Sequence, residues 1–202
     1  MKYKTMLELI DMIADRPLKI KVYDVYAKYK PEMMVSKGSV HNHQAWDGGY
    51  MDHVVETMNI ARLLFHTMND KRRLDFTLTD ALVALFFHDI EKAFPSRIQA
   101  LVDLGHARPK AKSKVRYSFL HDEGVWDLLS DSHKNAIDNA EGENTSYSNQ
   151  QRIMGPLAAF VHMCDIASAR IWFDRPFGKL ESADYEQWGD RESEQEQQLW
   201  GV

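Results

Sequence analysis

The sequence predicts an all-helical, compact bundle, and three observations predict it. Apolar residues recur at helical spacing through most of the 202-residue chain. No internal repeat and no interior linker interrupts that pattern, so residues 1–180 are expected to form one domain, followed by an acidic tail over 181–202. The third observation is chemical. His53, the adjacent pair His88-Asp89, and Asp165 all fall within apolar helical stretches, and bundles build polar sites from side chains that facing helices project inward.

Taken in order, Leu7, Ile10, Met12 and Ile13 mark a short amphipathic helix expected to end near Arg16-Pro17. Ile20 to Tyr29 reads as a second helix or as a short extended piece. Pro31 to Gly49 reads as a polar loop, with turn signals at Lys37-Gly38-Ser39 and Asp47-Gly48-Gly49. From Met51 to about Met68, the residues His53, Thr57, Ile60, Ala61 and Leu64 share one helical face. The next stripe, Leu78, Leu82, Leu85, Phe86 and Asp89, is expected to start at a cap on Thr79 or Asp80 and to stop by Pro95. His106 to Arg116 is a basic stretch without an acid and reads as a loop. Tyr117–Leu129 and Ser132–Ala140 read as two further helices, with a polar loop from Glu141 to Asn149. Gln150–Phe173 reads as a long buried helix with Asp165 in its middle.

Composition narrows the class. Hydrophobic residues at 44% and charged residues at 27% are an ordinary globular balance. The single Cys164 leaves no intramolecular disulfide framework and fits a reducing compartment. No apolar run approaches the roughly 20 residues that span a bilayer, and the first residues lack the apolar core of a signal peptide. A cytoplasmic location and no membrane partner are the expectation. The net charge of −5 is unevenly spread: the tail from Glu181 has seven acids against Arg191, which leaves the preceding 180 residues near +1. A phosphate-bearing substrate is therefore compatible with the body of the protein. Trp188 and Trp200 are possible docking points in the tail.

Imidazole nitrogen and carboxylate oxygen together suit zinc, iron, manganese, nickel or cobalt, and magnesium stays possible. A buried His-Asp doublet with nothing to bind loses the hydration of both side chains. Each residue alone has a plainer reading, the histidines as hydrogen-bonded core or surface groups and the aspartates as caps or solvated groups. Their combination points to a metal centre, and from there to a metal-dependent hydrolase.

The order of these residues resembles the HD-domain metal phosphohydrolase superfamily, whose pattern is a histidine, a His-Asp doublet and a distant aspartate. His53, His88-Asp89 and Asp165 match it, and Phe87-His88-Asp89-Ile90-Glu91-Lys92 is similar to the family's doublet followed by a lysine. Gly48-Gly49-Tyr50-Met51-Asp52-His53, with His43 ten residues before His53, is similar to the entry motif of the branch containing 3′–5′ exoribonucleases. The match covers roughly residues 41–172. It implies a compact HD-domain helical bundle with a divalent metal held between helices by His53, His88, Asp89 and Asp165. Family members with two metals add two histidines before the last aspartate. His121, in Phe119-Leu120-His121-Asp122, is placed for the first of them and would be a ligand only if a second metal is present. Where paired histidines are often found, this chain has Asn139-Ala140-Glu141-Gly142-Glu143. Glu141 is a substitute ligand or a solvated loop residue, and one metal is expected rather than two.

The implied chemistry is hydrolysis of a phosphate ester by a metal-activated water. Lys92, one turn after His88, is expected to reach the substrate phosphate, or else to act as a helix-end lysine on the dipole. His43, preferred to His41, is placed to contact substrate, to serve as an acid toward the leaving oxygen, or to stabilise the turn. Asp52 or Glu56 is placed to orient an imidazole or the water, Arg170 to meet a phosphate or form a surface ion pair, and Glu91 to be solvated or salt-bridged.

A small nucleotide or nucleotide-like phosphomonoester is the favoured substrate, because the basic stretch lacks an aromatic platform for stacked bases. Trp46, Tyr50 and Trp126 are placed either to stack one base or to pack internally. The alternatives are a phosphodiesterase or 3′–5′ exonuclease acting on short oligonucleotides or cyclic dinucleotides, and a non-catalytic binding module whose acidic tail recruits a partner. Oligomeric state is left open.

Overall fold

The computed structural model describes residues 3–39, 43–143 and 150–176, and every regular element among them is helical. The acidic tail, with Trp188 and Trp200, lies outside the described residues, as does His41. Eight α-helices follow one another: α1 (Met6–Asp11), α2 (Arg16–Val35), α3 (Gly49–Lys71), α4 (Leu78–Phe87), α5 (Pro95–Asp103), α6 (Arg108–Asp122), α7 (Asp131–Asp138) and α8 (Pro156–Ile171). Short 3-10 helices at Ile90–Ala93 and Trp126–Leu128 link α4 to α5 and α6 to α7. No described helix is long and apolar enough to cross a membrane.

The core forms where α3, α4 and α8 meet, with α7 closing against α4 and α8 and with α1 and α2 against α3. Met58 of α3, Leu82, Phe86 and Phe87 of α4, and Phe160 and Val161 of α8 are all buried there. Helix α4 is apolar on every side from Ala81 to Phe87 and buried throughout, as expected of a central helix rather than a surface one. Two capping boxes lock its position. Thr77 caps α4 with Asp80 reaching back, and Ser130 caps α7 with His133 reaching back. Asp80 and His133 then meet, Oδ1 to Nε2, at 3.1 Å, which joins the two helix starts. The imidazole beside it holds the Asp80 carboxyl down to about 2, against a smaller opposing effect of burial.

Several element boundaries correct the sequence reading. Thr77, not Thr79 or Asp80, is the α4 cap. Pro17 and Pro95 sit in the first turns of α2 and α5, where they begin helices instead of ending them. Proline is favoured there because the N–H it lacks has no helical partner. The polar loop expected from Pro31 is helical as far as Val35, with Pro31 inside α2. The basic stretch is not a loop. From Arg108 it is the start of α6, with Pro109 in the first turn and Ala111, Val115, Phe119 and Leu120 buried on one side. Tyr117 to Asp122 belongs to that same helix.

A candidate metal centre

Two helices each bring a ligand and its supporting group three residues apart, on one face. Helix α3 carries His53 and Glu56; α8 carries Asp165 and Ser168. Helix α4 ends at Phe87, which puts His88 at its C-cap and Asp89 at the turn into the following 3-10 helix. His88 and Asp89 are thus at a helix end, not within a helix as expected. The four residues meet: one ligand atom from each of His53, His88, Asp89 and Asp165 lies within 4.8 Å of the others, so the cluster could hold a metal ion. His53 Nε2 is 3.3 Å from His88 Nε2, 3.0 Å from Asp165 Oδ1 and 3.6 Å from Asp89 Oδ2. His88 Nε2 is 3.4 Å from Asp89 Oδ2 and 3.6 Å from Asp165 Oδ1.

The outer nitrogens of both rings are committed elsewhere. His53 Nδ1 donates to Ser168 Oγ at 3.0 Å, and that hydroxyl donates to Glu56 Oε2 at 2.7 Å. His88 Nδ1 donates to the Leu85 carbonyl at 2.7 Å. In their neutral forms, both imidazoles therefore present an Nε2 lone pair to the same point. Such outer-shell partners fix the tautomer and orientation of metal-binding histidines. Two lone pairs 3.3 Å apart and flanked by two carboxylates repel one another, and a proton or a metal cation between them relieves that repulsion. Asp89 Oδ1 is also buried without a hydrogen-bond partner among the described residues. The donor set fits a bound cation.

Burial and charge set the protonation of the metal-free cluster. Burial pushes the His53 imidazole down to about 4, so it is neutral at physiological pH. Burial opposes charge on His88, but the Asp89 and Asp165 carboxylates outweigh it and raise its pKa. Both aspartates are held well below the usual carboxylate range. Burial works against this, but Lys92 and the two imidazoles prevail for Asp89, and the two imidazoles beside it prevail for Asp165. Of the four residues Asp165 is the most exposed, its side chain at 13% against 2% or less for the other three.

Lys92 reaches the centre, its ammonium paired with Asp89 Oδ2. His43 stands beside it, with ring centroids 5.3 Å from those of His53. Its Nδ1 donates to Gln44 Oε1 at 2.7 Å, and burial together with the nearby Lys92 charge lowers its pKa. Gln44 was not singled out from sequence. It is buried in a left-handed conformation (φ 42°), and its Nε2 donates to the Ser168 carbonyl at 3.2 Å. Gly49 is needed opposite, because a Cβ there would come within 2.0 Å of the Gln44 carbonyl oxygen.

Other candidates go elsewhere. Asp52 accepts from Trp46 Nε1 at 2.8 Å, leaving the orienting role to Glu56 acting through Ser168. Glu91 is buried rather than solvated, and Arg116 of the supposed basic loop lies 3.9 Å from it. His121 is exposed, its ring 4.9 Å from that of Trp126, and it is not among the four converging residues. Glu141 is also exposed and lies 3.5 Å from Lys112. Arg170 is exposed on α8. Tyr50 is fully enclosed in the core, so packing accounts for it. No family model, no curated protein and no solved structure matches this chain.

Glu56 gives the site a pH signature. Burial raises its carboxyl from the usual 4.5 to about 7, although the Ser168 hydrogen bond favours the charged form. A carboxyl whose pKa is higher folded than unfolded takes up a proton on folding. Its stabilising contribution is complete below pH 4.5 and is lost as pH rises through about 7. Glu56→Gln is neutral throughout, so metal-free variant protein should gain on wild type by up to about 3 kcal/mol across that window. Urea unfolding of chelated protein at several pH values measures the difference; parallel pH profiles would contradict it.

Proposed function

We propose that this chain is a metal-dependent phosphohydrolase of the HD type, acting on a small nucleotide or nucleotide-like phosphomonoester. The observation that carries the reading is the convergence of His53, His88, Asp89 and Asp165, with both imidazole Nε2 atoms turned inward. The donor set of two nitrogens and two carboxylates favours one ion of manganese, iron, cobalt, nickel or zinc over magnesium. A divalent ion in such a site supplies a Lewis acid and a water whose pKa approaches about 7.

The chain's own residues do the rest. His53 and His88 are held in one tautomer by Ser168 and Leu85, so no reorientation accompanies ligand binding. The exposed edge at Asp165 is where a phosphate can approach. Lys92 offers an ammonium to the phosphoryl oxygens within hydrogen-bonding reach of the cluster. His43, neutral because its pKa is lowered and with Nδ1 engaged by Gln44, has Nε2 available to accept a proton. That suits it to act as a base or as a hydrogen-bond acceptor for substrate, more than as the acid expected from sequence. The basic stretch His106 to Arg116 holds no Phe, Tyr or Trp on which bases could stack, and from Arg108 its charges lie along an ordered helix, which supports a mononucleotide over a polymer.

The test is a metal-supplemented screen of nucleoside monophosphates, nucleoside triphosphates, cyclic dinucleotides and a short labelled oligonucleotide. Release of inorganic phosphate from monophosphates, abolished by chelator and restored by one equivalent of metal, is the expected result. Cleavage confined to the oligonucleotide or the cyclic dinucleotides would move the assignment to a phosphodiesterase or nuclease. No turnover of any substrate with metal fully bound would make the protein a binding module.

A further inference from the structure

The turn that aims His88 and Asp89 inward has an unusual support. Helix α4 stops at Phe87, so the carbonyls of its last turn have no partner within the helix. The His88 carbonyl is met by Arg116 Nη1, reaching across from α6. Arg116 is a poor surface residue: its side chain is only 14% exposed, and its Nε faces Glu91 Oε2 at 3.9 Å. Glu91 is almost completely buried and lies between the ligand Asp89 and the site lysine Lys92 in the chain. Neither Arg116 Nε nor Glu91 Oε2 has a hydrogen-bond partner among the described residues. A buried carboxylate and a buried guanidinium are costly to desolvate, so their presence at this turn calls for a function. Arg116 contacts the backbone of one ligand, and its counterion is two residues from the other.

We propose that Arg116 and Glu91 are a positioning pair for the metal centre. Glu91 holds the guanidinium in place, and the guanidinium clamps the His88 carbonyl. The clamp fixes the backbone turn from which His88 Nε2 and Asp89 Oδ2 point at one ion. The planar guanidinium can engage a carboxylate and a carbonyl at once through separate N–H groups, which an ammonium on a flexible stem does poorly. This inference rests on the reading of the cluster as a metal site, and it adds that the site's affinity is set from α6.

The experiment measures metal binding, not hydrolysis. Wild-type protein, Arg116→Met, Arg116→Lys and Glu91→Gln are demetallated and titrated with cobalt(II) by calorimetry and by the visible ligand-field spectrum. Thermal unfolding of each metal-free form is recorded alongside. Arg116→Met and Glu91→Gln are expected to weaken cobalt affinity about 10- to 100-fold and to change the ligand-field bands. Arg116→Lys should recover part of that affinity. Wild-type affinity and spectrum in both Arg116→Met and Glu91→Gln would overturn the proposal, whatever happens to their thermal stability. Should Arg116→Met fail to fold, Arg116→Lys and Glu91→Gln decide the matter by the same two readouts. If wild-type protein itself binds no cobalt, the metal-site reading fails; if it binds and the variants bind equally, only the positioning role fails.

Discussion

Asp89→Ala is expected to abolish both metal binding and hydrolysis while leaving the helical content intact. The residue supplies one of two carboxylates in the cluster and lies within 3.6 Å of both inward imidazole nitrogens. Its loss leaves Asp165 as the only acid among the remaining three converging residues, facing two neutral nitrogens and the Lys92 ammonium. That balance no longer attracts a divalent cation. Turnover should fall at least ~1,000-fold, about 4 kcal/mol of transition-state stabilisation. The fold should survive, because Asp89 is in a turn and the core around α3, α4 and α8 is built from apolar side chains. Lys92, left without its nearest counterion, can swing toward the exposed edge at modest cost. Metal content after dialysis, circular dichroism and steady-state rates measure the three parts. Full activity in demetallated Asp89→Ala would reject the assigned chemistry, and retained metal with lost turnover would move Asp89 from metal ligand to substrate contact.

What the sequence revealed, and what it hid, follows from the range of the interactions involved. His53, His88, Asp89 and Asp165 were legible because each is an ionisable residue set among apolar neighbours, where burial without a partner is costly. Helices α3 and α8 were legible because apolar residues recur at helical spacing over several turns, and α4 because its run from Ala81 to Phe87 is apolar throughout. Prolines misled, because the residue type that ends a helix also begins one; Pro95 does the latter. Helix α6 was masked by its basic residues, although Ala111, Val115 and Phe119 repeat at four-residue spacing along its buried side. Arg116 and Gln44 left no trace in the local pattern. Their partners, the His88 carbonyl and Ser168, lie 28 and 124 residues away, and only the folded chain brings them together. Ser168 had a weak signal: it follows Asp165 by three residues, as Glu56 follows His53.

Lys92→Met is expected to separate binding from turnover. The Lys92 ammonium is paired with Asp89 Oδ2, the carboxylate oxygen that faces both imidazoles. Burial disfavours its charge, yet Asp89 more than compensates and raises its pKa, so the group is cationic at any pH where the protein works. A fixed positive charge on a ligating carboxylate opposes a second positive charge arriving there. Removing it should tighten divalent-metal affinity several-fold, an effect of the kind expected when a like charge is taken from a poorly solvated pocket. The same ammonium is well placed to offset charge on a phosphoryl group entering at the Asp165 edge. Its loss should therefore lower kcat/KM for a phosphomonoester about 100-fold, or about 2.7 kcal/mol. Metal titration and steady-state kinetics on one preparation measure both. Unchanged kcat/KM would assign Lys92 to helix-end electrostatics alone. Weaker metal binding would instead make it a strut that holds Asp89 in place. Only tighter metal binding together with slower hydrolysis fits an ammonium that competes with the cation for Asp89 and serves the phosphate.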